Sequence, residues 1–279
     1  MLKLKWQCRV APSLGDGFAG TVESAWGTLP YEKIDAPTVF FGCYGIKDFF
    51  AIHEHKGRKA ILWAGSDLTN FKNGYWLGET EWEEKLDPKP LASWINRNCE
   101  NYVENIVEHD ELKALGIQSK IVPSFLGNVE DYPVSYKWSE RPKIFTSVSG
   151  NNFSLYGWDK IEQLAKNNPN MQFHLYGDTR TMSPHYGDNV LNHGRVSQEQ
   201  FQKETSEMQG CLRLLPHDGF SELIAFALLR GQYAISAIPY PSYLTIDELG
   251  TLKDKKEPNY AGREWLLSVV NRFPFNNKL

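Results

Sequence analysis

The sequence predicts an α/β protein with parallel sheets. Three observations carry that prediction. Short apolar runs without alternation end in, or run straight into, Gly, Ser or Asp: Thr38–Gly42, Lys59–Ala64, Lys143–Val148 and Met171–Tyr176. Such runs are buried on both faces, the mark of parallel strands. Helical patterns separate them, and strand–helix alternation along a whole chain means α/β architecture. The 279 residues make two compact domains at roughly 150 residues each, or one large one.

In the first half, Pro12–Gly20 is a glycine-rich turn after the first strand. Thr38–Gly42 is the next strand. Gly45–Glu54 sets Ile46, Phe49, Phe50 and Ile52 at helical spacing. Lys59–Ala64 runs directly into Gly65-Ser66-Asp67. Residues 70–90, rich in Trp, Tyr and acids, fit no period and read as a long loop with one helical turn. Val103–Leu115 reads as a helix stopped by Gly116. Lys120–Phe125 reads as another buried strand. The stretch Pro123–Pro142 is the best linker. It divides the chain into domains 1–132 and 133–279, with the last helix free to cross back.

In the second half, Lys143–Val148 ends in Ser149-Gly150-Asn151-Asn152. Trp158–Lys166 is a helix with Ile161, Leu164 and Ala165 on one face. Met171–Tyr176 ends in Gly177-Asp178. Asn189–Asn192 is a short strand ending in His193-Gly194-Arg195. Ser197 caps the helix Gln198–Ser206, with Gln200 at the third position completing a capping box. Cys211–Leu215 ends in Pro216-His217-Asp218-Gly219. Ser221–Arg230 is an apolar helix stopped by Gly231, Gln232–Ser236 is a strand, and Tyr260–Arg272 is the last helix, with Trp265, Leu266, Val269 and Val270 inward.

Composition narrows the class. With 41% apolar and 23% charged residues, disorder and collagen are excluded. The net charge of -4 argues against a strongly basic nucleic-acid binder. Residues 1–139 carry 15 basic and 19 acidic side chains, so the acidity lies in the first half. Cysteines 8, 43, 99 and 211 have no ligand-like spacing, against a zinc site or a disulfide framework. MLKLKWQCRV lacks a signal-peptide core, and no apolar run approaches a membrane span. A cytoplasmic protein with no membrane span is the expectation. Aromatics reach 13%, with nine Trp, and the Trp/Tyr cluster at 63–82 falls beyond a strand end.

In parallel sheets, ligands sit beyond the C-terminal ends of strands. The strongest such segment is Leu212–Gly231. His217-Asp218-Gly219 follows a strand, and a helix opens near Ser221 with Glu222 in its first turn. A helix N-terminus offers free N–H groups to a phosphate, and Gly219 lets backbone approach a ligand. Equally, Asp218 and Ser221 serve as helix caps. Asp67 ends a buried strand, as a general base would, or as a cap for the following turn. His53-Glu54-His55 is not spaced as H-E-x-x-H and reads as a solvated helix end.

The order of these motifs resembles the GT-B glycosyltransferases: a strand ending in Gly, the YGWDKI helix, the strand ending at Gly177, the HGRVSQEQF turn and the HDG-x-S…G helix. The pattern is similar to the donor-binding half of glycosyltransferase family 4, best over 143–240. The resemblance implies two Rossmann-like domains with parallel sheets facing across a cleft, and a nucleotide-diphosphate sugar as donor, UDP-sugar favoured. It implies a hexosyl- or pentosyltransferase acting on a carbohydrate or other hydroxyl acceptor, with no cofactor. Gly150 and Asn151 would border the diphosphate, and Gly15 and Gly17 would approach it from the first domain. Gly194, Arg195 and Val196 would lie by the nucleobase. His217, Asp218, Gly219 and Ser221 would border sugar and phosphates, with Asp67, His217 and Asp218 as the catalytic set. The family has two Glu here with seven residues between them. This chain has Asp218 and Phe226, with Glu222 one helical turn before Phe226. The family's Arg and Lys clamp is replaced by Asn151 and Asn152. No Asp-x-Asp pair follows a strand, so transfer without a metal is expected. Two alternatives stay open. One is a phage-type enzyme glycosylating a hydroxymethylated DNA base, making nucleic acid the acceptor. The other is a non-catalytic sugar-nucleotide or glycan-binding protein on a degenerate GT-B scaffold. A sugar-nucleotide epimerase ranks below both.

Overall fold

The structure is a computed structural model describing residues 5–15, 17–75, 85–148, 152–179 and 187–279. The chain forms two compact units. The first comprises Met1–Asn128, His217–Phe220 and Val269–Leu279; the second comprises Val129–Pro216 and Ser221–Ser268.

The first unit runs β1 (Gln7–Val10), α1 (Phe18–Trp26), β2 (Leu29–Pro30), β3 (Thr38–Phe41), α2 (Ile46–Glu54), β4 (Lys59–Leu62), α3 (Ser66–Lys72), α4 (Pro88–Asn98), β5 (Glu100–Val103), α5 (Ile106–Ala114) and β6 (Lys120–Ile121). The sheet order is β2-β1-β3-β4-β5-β6, and its pairings are parallel. β3 is buried along its length, as its unbroken apolar run requires. One face packs Trp6, Trp26, Phe41 and Tyr102 against Phe273 and Phe275 of the returning C-terminal segment. The other packs Phe40, Trp63 and Phe71 under α2 to α5. The aromatic surplus is therefore largely core. Trp63 is fully buried and Tyr75 nearly so, which removes both from any exposed acceptor surface; Trp76 and Trp82 lie outside the described residues.

Four expectations change here. Val103–Leu115 is not one helix: Glu100–Val103 is β5, and α5 starts at Ile106, where Asn105 accepts the Glu108 N–H. Lys120–Phe125 is not a buried strand. Only Lys120 and Ile121 pair, both exposed, because β6 is the sheet edge and Pro123 has no N–H to donate. The 70–90 stretch holds the end of α3 and the start of α4. Asp87 caps α4 through the Lys89 N–H, with Pro88 at its first position, a start signal visible in the sequence. His55 also departs from a solvated helix end. It is 1% exposed, with Nε2 2.9 Å from the Ala36 carbonyl.

The second unit runs β7 (Lys143–Ser147), α6 (Trp158–Asn167), β8 (Gln172–Tyr176), β9 (Val190–Gly194), α7 (Gln198–Thr205), β10 (Gly210–Arg213), α8 (Glu222–Leu229), β11 (Tyr233–Ser236) and α9 (Tyr260–Val269). Its order is β11-β10-β7-β8-β9, again parallel. α6 buries Ile161 and Ala165 as its spacing predicts, with Leu164 half-buried against the same core, and Trp158 joins them. Ser197 caps α7 through the Gln200 N–H. Gln200 does not close a capping box; its side chain donates forward to Glu204 at 2.8 Å. α9 stops at Val269 rather than Arg272. Asn271 turns left-handed at φ 55, and its side chain accepts the Phe125 N–H at 2.9 Å and the Trp26 indole at 3.2 Å.

Candidate active site

A doubly wound sheet leaves room for a ligand where successive connections leave in opposite directions. In the first unit that point lies between β1 and β3. After β1 the chain turns over Pro12–Leu14 and sets Gly15 at φ 91 and Gly17 at φ 90. A side chain there would cost about 1–2 kcal/mol, and an added Cβ on either would meet nothing within 4 Å. Gly17 heads α1, and no side chain caps it. A cavity of about 530 Å³ is lined by Arg9, Ser13, Tyr44, Lys47, Asp48 and Asn70 among others. Arg9 pairs with Asp48 at 2.9 Å, and the same carboxylate accepts the Tyr44 N–H at 3.0 Å.

Asp67 does not face this space. It is fully buried, and it accepts N–H groups from Cys43 at 3.0 Å, Ala64 at 3.0 Å and Leu68 at 2.8 Å. Burial raises its pKa to about 6, against the lowering by those N–H bonds. A base must reach the proton it removes. Asp67 instead ties the turn after β3 to the turn after β4, which corrects its assignment as a catalytic base.

The His217–Phe220 turn packs within the first unit on side chains that the sequence did not single out. Phe220 N–H donates to Glu104 Oε2 at 2.7 Å, and Asn105 Nδ2 donates to the Asp218 carbonyl at 2.7 Å. His217 Nε2 stands 2.7 Å from Glu111 Oε2 and Nδ1 3.4 Å from Thr69 Oγ1. Lys72 holds the other Glu111 oxygen at 2.5 Å. Partial burial raises the Glu111 pKa, but Lys72 and His217 outweigh it and hold the group below the usual carboxylate range. Burial pushes Glu104 up to about 8 against hydrogen bonds from Ser124 and Phe220. Burial and then the Glu104 charge push Glu108 well above its usual range. The turn also meets the end of β4, since a Cβ on Gly65 would stand 2.9 Å from the Gly219 nitrogen. The signal for these residues was the missed β5: once it is seen, Glu104 and Asn105 fall at a strand's C-terminal end.

In the second unit the reversal lies between β7 and β10. Gly150 and Asn151 of the turn after β7 lie outside the described residues. After β9, Gly194 stands at φ 64. Its carbonyl accepts the Gly177 N–H at 2.7 Å, and its N–H donates to Asn192 at 3.0 Å. Arg195 is exposed and Val196 half-buried. Ser221 holds the N-cap position of α8, but its side chain makes no capping bond. Glu222, half-buried, opens the helix. Phe226 stacks on Tyr132 at 5.0 Å, with the Arg230 guanidinium 5.4 Å from the same ring. That position belongs to the apolar core of the unit. Among the described residues, no three His, Cys, Asp or Glu side chains gather as metal ligands, and no helix is long and apolar enough to cross a membrane.

No family model and no curated protein matches the sequence. Solved structures match the fold. The lipopolysaccharide outer core galactosyltransferase WaaB aligns with a TM-score of 0.54 at 12% identity, covering 99% of this chain and 98% of WaaB. Sucrose-phosphate synthase from Thermosynechococcus elongatus aligns at 0.57 and 13% identity, covering 83% of this chain and 69% of the synthase. The fold is GT-B. TarM aligns at 0.54 and 10% identity over 85% of this chain, and the chain spans 51% of TarM, so about half that protein's length has no counterpart here. The GT-B match accounts for two parallel sheets, each with its own direction reversal.

Proposed function

We propose that this GT-B protein transfers a sugar from a nucleotide-diphosphate sugar to a hydroxyl acceptor. The observation that carries the reading is the near end-to-end match to a galactosyltransferase, 99% of one chain on 98% of the other. UDP is the favoured nucleotide. Solved structures of pneumococcal GtfA with UDP and GlcNAc and of Anabaena HepE with UDP-glucose share the fold.

In this reading Gly194, Arg195 and Val196 meet the nucleobase. Gly15, Gly17, Gly150, Asn151, Gly219 and Ser221 let backbone approach the diphosphate. The N-terminus of α8, which lacks a side-chain cap, meets its charge, so transfer proceeds without a metal. The bond from the anomeric carbon to the phosphate oxygen breaks and a bond to the acceptor oxygen forms. The departing phosphate takes the hydroxyl proton. His217 and Asp218 border the sugar, and Glu222 takes the ribose in place of the residue lost at Phe226. The acceptor enters the cavity beside Arg9 and Tyr44.

Calorimetry and hydrolysis assays with UDP-, GDP- and ADP-sugars test this. Micromolar binding and slow hydrolysis of a UDP-sugar are expected, and no binding of any donor sinks the reading. The burial of Phe226 in a ring stack favours one second reading, a binder without turnover. Donor binding with no hydrolysis and no transfer in an acceptor screen would establish it.

A further inference from the structure

Glu104 is 4% exposed, and so buried a carboxylate is costly unless its oxygens are bonded. Both are. Oε1 accepts the Ser124 hydroxyl and, at 3.3 Å, the Ser124 N–H; Oε2 accepts the Phe220 N–H at 2.7 Å. Among the described residues, the titratable groups facing it are acidic: Asp218 of the turn, Glu108 of α5 and the Tyr44 phenol. The next residue, Asn105, grips the Asp218 carbonyl while its Oδ1 caps α5 through the Glu108 N–H at 3.1 Å. Two consecutive residues thus hold Asp218 and Phe220 through backbone atoms. Between them, a Cβ on Gly219 would overlap Glu104 Oε2. The carboxylate fills the space that any other residue type at 219 would need.

We propose that Glu104 is a positioning residue. Its carboxylate sets the backbone of Asp218–Phe220, and through it the placing of His217 and Asp218 against the sugar nucleotide. This rests on the transferase reading, although the grip on the turn does not. A displacement of about 1 Å at a reacting group can cost on the order of 100-fold in rate, so a bond at the turn's backbone acts on turnover more than on donor affinity.

Full-length Glu104→Gln and Glu104→Asp, beside the unsubstituted protein, test it with two readouts. Amide hydrogen exchange over 217–220 needs no activity. Steady-state kinetics on a UDP-sugar separates kcat from KM. Glu104→Gln keeps the size of the side chain but sets an amide N–H against a backbone or hydroxyl donor. Its 218–220 amides are expected to exchange about 10-fold faster. Its kcat is expected to fall roughly 30-fold, with KM for the UDP-sugar within about 3-fold. Glu104→Asp, which keeps the charge but withdraws it, is expected to recover part of the kcat. A folded Glu104→Gln protein with unchanged exchange or unchanged kcat overturns the proposal, as does a rise in KM alone. Should both variants fail to fold, the unsubstituted protein carries the test. Protection of the Phe220 amide should weaken as pH rises from 6 to 9, because ionising so buried a carboxylate favours opening of the turn; pH-independent protection overturns the grip. If no UDP-sugar binds, the transferase reading falls, while exchange at Phe220 still decides whether Glu104 holds the turn.

Discussion

The two units share a doubly wound plan but differ in the buried titratable groups that hold their strands and turns. The first buries Glu104 after β5, and Asp67 and Glu108 in the first turns of α3 and α5, where they accept backbone N–H groups. The second buries His174 within β8, its Nδ1 2.9 Å from His193 Nε2, and His193 in turn meets Glu204 at 3.1 Å. Their turns differ in the same way. The His217–Phe220 turn is held by side chains more than a hundred residues away in sequence. The Gly194–Val196 turn is held by neighbouring backbone and Asn192. Local chemistry builds one candidate ligand turn, and distant buried acids build the other.

The sharpest test of that contrast is Asp67→Ala. It takes the acceptor from the Cys43 and Ala64 N–H groups at two turns, while the Leu68 N–H keeps the Gly65 carbonyl at 3.1 Å; unmet buried donors cost about 1–3 kcal/mol each. A loss of about 3 kcal/mol or more in denaturant unfolding is expected, and a loss under about 1 kcal/mol would show that the turns stand without it. Next is Gly219→Ala against Gly194→Ala. The first drives a Cβ into Glu104, an overpacking worth about 1–3 kcal/mol. The second meets nothing nearer than the Asp178 carbonyl at 3.5 Å and incurs only the left-handed backbone penalty of about 1 kcal/mol. Equal losses would erase the distinction between the turns.

Proton linkage sharpens it further. Burial raises the pKa of Asp67 to about 6 and of Glu104 to about 8. Their contribution to stability is complete below the unfolded values near 4 and is lost as pH climbs through 6 and 8. Burial, then His193 and Lys143, lower His174 to about 4. Its contribution is present above about 6.5 and lost as pH falls toward 4. Hydrogen exchange resolved by unit, from pH 4 to 9, should show opposite slopes; slopes of one sign would refute the contrast. The smallest effect belongs to Arg195→Ala. An exposed side chain should change stability by less than about 0.5 kcal/mol, while the KM for the donor rises several-fold. A large loss of stability there would mean the turn is not locally built.

Most strands were legible because a buried parallel strand must be an unbroken apolar run, as in Thr38–Phe41 and Lys143–Ser147. The Ser197 cap was legible because it is a bond across three residues. β5 was not, because Glu100–Val103 carries Glu and Asn before its apolar end and runs close to the helix behind it. Asp67 was legible as a strand-end acid but not as a buried one, since the three donors that claim it come from two different turns.

The sequence by itself determined the α/β class, the parallel strands and the positions of the candidate turns, because apolar runs, caps and left-handed glycines act over a few residues. Only the tertiary structure decided which polar groups face solvent and which hold the turns. Glu104 and Phe220 are 116 residues apart, and no local pattern records that one will accept the other's N–H. That pairing exists only once the sheet has formed and water has been excluded, when a buried donor without an acceptor becomes costly.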